Sequence, residues 1–73
     1  MEVRYDPDAD AMYIKLRDPE YEINEEIREG IIIDFDKENK IIGIEILDAK
    51  DRLSPSSVNE MSFKFLKGEE LKA

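Results

Sequence analysis

The sequence predicts an α+β fold that is mainly β: an antiparallel β-meander of four to five strands, a short C-terminal helix and a final strand. Three observations support this fold class. Apolar and polar residues alternate with a period of two through much of residues 2–47, and turn-forming residues separate the alternating runs. Every connection is also too short for the crossover that parallel strands need. We expect one domain over residues 1–67 and a frayed tail over residues 68–73.

Five segments carry the alternating pattern. They span residues 2–5, 11–17, 22–28, 31–36 and 41–47. The third segment is rich in acidic residues, so a partly helical conformation is the alternative there. Asp18-Pro19 ends the second segment, because proline has no backbone N–H to donate and disfavours helix in the residue before it. Glu29-Gly30 predicts a turn, and Asn39 suits a left-handed position in a hairpin loop.

A different pattern follows Leu47. Residues 48–53 fit a helical turn, and residues 55–61 fit a short helix with Ser54 as N-cap and Pro55 at the first helical position. Over residues 62–67, two phenylalanines alternate with Lys64. This alternation favours a final strand, and a continuing helix is the alternative.

The alternation also assigns side chains to two faces of the predicted sheet. The predicted core face carries Val3, Tyr5, Met12, Ile14, Leu16, Ile31, Ile33, Phe35, Ile42, Ile44 and Ile46. The other face keeps four large apolar residues among its charges, namely Tyr13, Ile32, Ile41 and Leu47. A clustered set of this kind is typical of an interface. The alternatives are that the C-terminal segment covers them or that strand ends bury them one by one.

Length and composition restrict the classes of function. A chain of 73 residues buries only about 60% of the surface that it exposes when unfolded, so small domains often gain stability from disulfides, metals or oligomerisation. The chain has no cysteine and no histidine, which leaves oligomerisation and removes the commonest metal ligand and general base. Its four serines therefore lack the histidine that would activate one of them as a nucleophile. Its three glycines are isolated and do not form a glycine-rich phosphate loop. We expect a protein that is not an enzyme and has no cofactor, and that forms a homodimer or a complex with another protein.

The net charge of −8 restricts the kinds of partner that we expect this chain to bind. Lysines and arginines are scattered, whereas a nucleic-acid surface needs a basic patch, so a monomer is not expected to bind nucleic acid directly. Acidic residues concentrate in one stretch and form a predicted acidic rim: Asp18, Glu20, Glu22, Glu25, Glu26 and Glu29. The rim is either a solvated edge or a surface that steers a basic protein partner.

Location and source follow from the same composition. The N-terminus lacks the basic and apolar regions of a signal peptide, and no stretch approaches the roughly 20 apolar residues that cross a bilayer. We therefore expect a cytoplasmic protein that does not bind a membrane. A high charged fraction, here 41%, is a reported bias of proteins from thermophiles, so a thermophilic source is one of the open interpretations.

The stretch Asp6-Pro7-Asp8-Ala9-Asp10 resembles the start of a calcium loop. Such a loop needs glycine at its sixth position and glutamate at its twelfth, and Ala11 and Arg17 stand there instead. A structural turn formed by Asp6, Pro7 and Asp10 is favoured, because proline suits the second turn position and aspartate can accept backbone hydrogen bonds. A divalent-metal site built from Asp6, Asp10 and Asp34 is the remaining chemical alternative. Asp34 and Asp36 are otherwise interpreted as edge charges beside the following loop.

Two stretches carry a family resemblance. They read YDPDADAMYIKL and EGIIIDFDKENKIIGIEILDAKDRL, and they lie within residues 1–53. The matching positions are Tyr5, Asp6, Asp10, Tyr13 and Ile14, then residues 33–36 and 43–49. These stretches resemble a large family of short prokaryotic proteins known only as a domain of unknown function, number twenty-two eighty-three. The resemblance implies no catalytic residue. Some relatives look like the antitoxin half of toxin–antitoxin pairs, lying beside small ribonuclease-like proteins.

Three hypotheses of function result. The first is a protein-binding module, in the form of an antitoxin-like inhibitor of a small basic ribonuclease toxin. Its apolar anchors would be Tyr13, Ile32, Ile41 or the residues near the C-terminus, with the acidic residues of 18–29 at the rim. The second is a self-associating homodimer domain with an unknown ligand. The third is a protein that binds a divalent metal or a small ligand.

Overall fold

The computed structural model describes residues 1–18 and 23–66 of the chain. Within them, five strands precede two short helical elements. The strands are β1 (Glu2–Asp6), β2 (Ala11–Lys15), β3 (Ile23–Arg28), β4 (Ile31–Phe35) and β5 (Ile41–Leu47), and the helical elements are α1 (Ala49–Arg52) and the 3₁₀ turn Ser57–Asn59. The predicted fold class, a mainly β protein with an antiparallel sheet, is confirmed.

All five strands form one open sheet in the order β1-β2-β5-β4-β3, and every neighbouring pair is antiparallel. The order differs from a strict meander at one place, because β2 pairs with β5 and not with β3. The sheet thus joins a two-stranded hairpin, β1–β2, to a three-stranded unit, β3–β4–β5. β1 and β3 are the two edges.

The register confirms the predicted core face. Directly paired residues lie on the same side of a sheet, and two rows of such pairs cross the strands β1, β2, β5 and β4. The rows are Val3, Ile14, Ile44 and Ile33, and Tyr5, Met12, Ile46 and Ile31. We call this side the core face. Of the apolar residues that the structure describes, the buried ones are Met12, Ile42, Ile46 and Ala49.

The helical elements pack on one half of the core face. Ala49 is completely buried against Met12 and Ile46, and Val58 packs on the same cluster. The helix predicted over residues 55–61 is shortened to the 3₁₀ turn, whose N-cap residue is Ser56 and has no capping bond from its side chain. The predicted N-cap Ser54 lies in the preceding turn, where its Oγ accepts a hydrogen bond from the Ser57 N–H at 3.2 Å. A run of about one turn has few internal hydrogen bonds and depends on packing.

The predicted final strand is not formed. Residues 60–66, which we call the C-terminal segment, are neither strand nor helix and are exposed throughout. A strand needs a ladder partner for its backbone groups, and none of the five strands pairs with this segment. Lys67 and the predicted tail lie outside the described residues. No helix in the described part of the chain is long and apolar enough to cross a membrane.

Candidate functional site

The face opposite the core face carries one continuous row of side chains. Direct pairing aligns them across all five strands, from one edge to the other, in the order Arg4, Tyr13, Glu45, Ile32 and Glu26. We call this side of the sheet the tyrosine face. Charged residues alternate with tyrosine and isoleucine along the row. The centre of the face therefore combines an aromatic ring and an isoleucine with acidic neighbours.

Tyr13 is held in place by a glycine and an aspartate. Its hydroxyl group donates a hydrogen bond to Oδ2 of Asp34 at 3.2 Å, and Asp34 pairs directly with Gly43 on the intervening strand β5. A Cβ atom added to Gly43 would lie 2.7 Å from Cζ of Tyr13. The ring therefore crosses over the bare backbone of Gly43, a close approach that any side chain at this position would obstruct.

The same arrangement favours the neutral form of Tyr13 further. Burial raises the pKa of its phenol above the ordinary value of 10.0, and the Asp34 carboxylate acts in the same direction through its charge and its hydrogen bond. A phenol with a raised pKa stays neutral at pH 7. Tyr13 is therefore a hydrogen-bond donor with an apolar ring, as tyrosines at binding surfaces commonly are.

A groove of about 680 Å³ opens beside this tyrosine. Arg4, Asp6, Tyr13, Asp34 and Glu45 are among its lining residues, and strands and turns supply the whole lining. Acidic groups outnumber the basic group in this set, so the groove favours a cationic group. Asp34 is 7% exposed, and its Oδ2 accepts the hydrogen bond from the Tyr13 hydroxyl.

The four predicted interface residues separate into two places. Tyr13 and Ile32 both pair with Glu45, and Leu47 lies two residues further along β5 on the same face. Ile41 does not join them. The register between β4 and β5 shifts between Asp34 and Phe35, so Ile41 pairs with Phe35, a residue of the core face. A one-residue shift moves a side chain out of the alternation expected from sequence.

The four described residues of the predicted acidic rim do not form one surface. Glu20 and Glu22 lie outside the described residues. Glu26 pairs with Ile32 on the tyrosine face, whereas Glu25 pairs with Ile33 on the core face. Asp18 lies 3.4 Å from Lys15 and Glu29 lies 3.8 Å from Arg52, and in both ion pairs the acidic side chain is exposed. Alternation along β3 therefore divides the acidic charge between the two faces.

The aspartates of the first turn have structural partners. Asp6 Oδ1 accepts hydrogen bonds from the N–H groups of Asp8 and Ala9, at 2.9 and 3.3 Å. Asp10 adopts a left-handed backbone with φ of 51°. Its Oδ1 accepts from the Tyr5 hydroxyl at 2.7 Å and from the Lys50 N–H at 3.2 Å. The first turn is thereby joined to α1.

The edge-charge interpretation of Asp34 and Asp36 is wrong, because both are buried, at 7% and 8% exposure. Asp36 organises the β4–β5 hairpin. Its Oδ1 accepts from the N–H groups of Glu38 and Lys40, at 2.8 and 2.9 Å, and Oδ2 lies 3.4 Å from Arg17. Asn39 has the left-handed backbone expected from sequence, with φ of 64°. The backbone donors, first that of Lys40, lower the pKa of Asp36 below its ordinary 3.8.

This lowered pKa predicts a contribution to stability that depends on pH. The unfolded Asp36 binds a proton more readily than the folded one, so the contribution is complete above pH 3.8 and is lost as pH falls through the folded pKa. We expect Asp36→Asn to lower the urea midpoint at pH 7 and to lower it much less at pH 2.5. Urea unfolding of both proteins at the two pH values checks this. An equal difference at both values would contradict it, and Glu38→Gln serves as the control.

Metal binding has little support from the geometry. No group of three or more acidic side chains within residues 1–18 and 23–66 is arranged to hold a metal ion. Of the three aspartates in the metal hypothesis, Asp10 is engaged with Tyr5 and Asp34 with Tyr13.

Sequence reasoning missed Arg4 and Glu45 as parts of the site. Both flank Tyr13 in the row across the tyrosine face, but this row depends on the pairing of β2 with β5. Strand alternation was a usable signal for Glu45, because it lies on the face opposite Ile44 and Ile46. Gly43 lies beside the register shift between β4 and β5 and directly under the Tyr13 ring.

Comparison with known proteins gives one match. Residues 2–50 match the model of a family described as a protein of unknown function (DUF2283). The match covers Tyr13, Asp34 and Gly43 and confirms the family resemblance predicted from the sequence. No curated protein matches the chain, and no solved structure does.

Proposed function

The chain belongs to the DUF2283 family, whose function is unknown, and we propose from its surface that it is a protein-binding module whose tyrosine face docks on a basic protein. In its specific form, the module is an antitoxin-like inhibitor of a small basic ribonuclease. The observation that carries the proposal is the row through Tyr13, Glu45 and Ile32, in which apolar groups are half-buried next to acidic ones.

The composition of this row suits protein recognition. Interfaces combine a central aromatic or apolar anchor with a charged rim, and tyrosine is among the residues enriched at energetic centres. Tyr13 is already oriented by its bond to Asp34, so binding costs little side-chain entropy. The groove beside it is large enough for a side chain of a partner.

The charge of the tyrosine face is complementary to that of a basic partner. Besides Glu45 and Glu26, the register places Asp34, Glu2 and Asp6 on the tyrosine face, against Arg4 and Lys15. The chain as a whole carries −8. An acidic surface of this kind speeds the encounter with a basic partner and excludes acidic ones. A ribonuclease, whose active site must attract phosphates, presents a basic surface that fits it.

The test first asks whether a small basic protein that cleaves RNA is encoded beside this chain, and then whether the chain inhibits that cleavage. We expect the protein to inhibit it with an affinity that falls as salt rises. Glu45→Lys is expected to weaken inhibition at least tenfold, because it places a positive charge at the centre of the face. Glu38→Lys in the exposed β4–β5 loop changes the net charge equally and is expected to leave inhibition unchanged.

Two results would overturn the proposal. One is an absence of inhibition by the unmodified protein. The other is an equal effect of Glu45→Lys and Glu38→Lys, which would show that only total charge matters. Thermal unfolding of both variants verifies that they remain folded.

A further inference from the structure

The groove beside Tyr13 contains carboxylates that have no cationic partner among the described residues. Glu45 and Asp34 line this groove. The ion pairs in the described part of the chain use other carboxylates, namely those of Glu2, Asp18, Glu29 and Asp36. Glu45 is half-buried, and no described residue donates a hydrogen bond to its side chain. Removing a charge from water without a partner is unfavourable, so the groove favours a cationic ligand.

Asp34 is a buried carboxylate with one oxygen left for a ligand. Its Oδ2 atom accepts the hydrogen bond from the Tyr13 hydroxyl at 3.2 Å. Its Oδ1 atom accepts none from a described residue, yet no completely buried polar side-chain atom in this part of the chain lacks a hydrogen-bond partner. Oδ1 is therefore accessible from the groove that Asp34 lines.

The Tyr13 ring extends between these two carboxylates. Glu45 pairs directly with Tyr13 on the neighbouring strand, and the Cβ atoms of such pairs are about 4.5–5.5 Å apart. The hydroxyl at the far end of the ring reaches Asp34, two strands away along the sheet. The ring is half-buried and is part of the groove lining. A ligand in the groove thus meets an aromatic ring with a carboxylate near each end.

The basic side chains of the tyrosine face have other partners. Arg4 lines the groove, but its Nε lies 3.4 Å from Glu2 and its side chain is 64% exposed. The Nζ atom of Lys15 lies 3.4 Å from Asp18. Neither cation forms an ion pair with Glu45 or Asp34 within the described residues, so the matching cation has to come from a partner.

A guanidinium group fits this arrangement better than an ammonium group does. It is planar, stacks on aromatic rings and carries five N–H donors that point in several directions. It can therefore cover the Tyr13 ring and donate to carboxylates on two sides of it. A lysine ammonium is a compact, strongly hydrated point charge without this shape. Arginine is also among the residues that are enriched at the energetic centres of interfaces.

We propose that the groove binds the side chain of an arginine of the basic partner, with the guanidinium group on the Tyr13 ring and its N–H groups donating to Glu45 and to Oδ1 of Asp34. That the arginine belongs to a basic protein rests on the proposed function. The preference for arginine rests on the groove alone.

Binding of Nα-acetylarginine amide to the full chain tests the groove without any partner protein. The matched probes are Nα-acetyllysine amide and Nα-acetylcitrulline amide, which has nearly the shape of the arginine probe but no charge. We expect the arginine probe to bind saturably with a Kd of about 1 mM, in the range open to so small a ligand. In NMR spectra it should shift the amide signals of Tyr13, Gly43 and Glu45. The lysine probe is expected to bind at least threefold more weakly, and the citrulline probe not to saturate.

Substitutions separate the charge from the ring. Glu45→Gln keeps the size of the side chain and is expected to raise the Kd of the arginine probe at least threefold. Glu38→Gln removes the same charge from the exposed β4–β5 loop and should leave this Kd unchanged. Tyr13→Leu is expected to abolish the preference for arginine over lysine, whereas Tyr13→Phe, which keeps the ring, is expected to retain it.

Several results would overturn the arginine site. They are equal binding of the arginine and lysine probes, equal effects of Glu45→Gln and Glu38→Gln, signal shifts confined to residues outside the groove, and an absence of saturable binding. The probes need no ribonuclease, so the two proposals fail separately. Inhibition of RNA cleavage without arginine binding would leave the proposed function and remove the arginine site, and arginine binding without inhibition would do the reverse.

Discussion

Replacing Gly43 with alanine is expected to lower the free energy of unfolding by about 1–3 kcal/mol, the usual cost of forcing an extra group into a packed site. The new methyl group would lie 2.7 Å from Cζ of the Tyr13 ring. The ring must then move, and its hydrogen bond to Asp34 is lost with it. Urea unfolding followed by circular dichroism measures the loss.

A double-mutant cycle with Tyr13→Ala isolates this cause. Without the ring, the three atoms nearest to the methyl group at position 43 are gone, and alanine in a strand is more favourable than glycine by about 0.5–1 kcal/mol. Gly43→Ala should therefore be neutral or stabilising in the Tyr13→Ala background. If the two losses simply add within about 0.5 kcal/mol, the contact between the ring and the glycine is not the reason.

The largest loss of stability is expected from Ile46→Ala, at about 2–4 kcal/mol. Ile46 is 9% exposed and packs with Met12 and Ala49, so the substitution leaves a cavity between the sheet and α1. At 0.05–0.15 kcal/mol per residue, a domain of this size has about 4–11 kcal/mol in total. The variant is expected to be close to unfolding at 37 °C.

Ile41→Ala provides a matched control, because it is the same substitution in the same strand at a residue that is 41% exposed. We expect it to cost less than about 1 kcal/mol. Thermal unfolding of both variants checks the difference. Equal losses would contradict the division of β5 into a buried position at Ile46 and an open one at Ile41.

The sheet was largely predictable because its signals are local. Alternation identified all five strands to within two residues at each described end, and Asn39 and Gly30 were recognised as turn residues that tolerate a left-handed backbone. The core face followed from the same period of two. Its row partners, Met12 with Ile46 for example, lie far apart in sequence, and alternation alone could not pair them.

The site was less predictable because it depends on those pairings. Tyr13 was recognised as a residue of the second face, but its bond to Asp34 requires β2 and β4 to flank β5. Ile41 was misplaced because a register shift beside Phe35 is not visible in the residue pattern. The strand expected at the C-terminus had the right alternation, but residues 60–66 pair with neither edge of the sheet, β1 or β3.

The pairing of β2 with β5 also bears on how the chain folds. The β1–β2 hairpin and the β3–β4–β5 unit each need only short loops, whereas the contact between Met12 and Ile46 closes a loop of some 34 residues. Closing a loop of this length costs about 3 kcal/mol of chain entropy. We therefore expect the joining of the two units along this seam to limit the rate of folding, and the bonds from Asp10 to α1 lie on that seam. Substitutions at the seam should slow refolding, whereas substitutions in the β4–β5 loop should mainly speed unfolding.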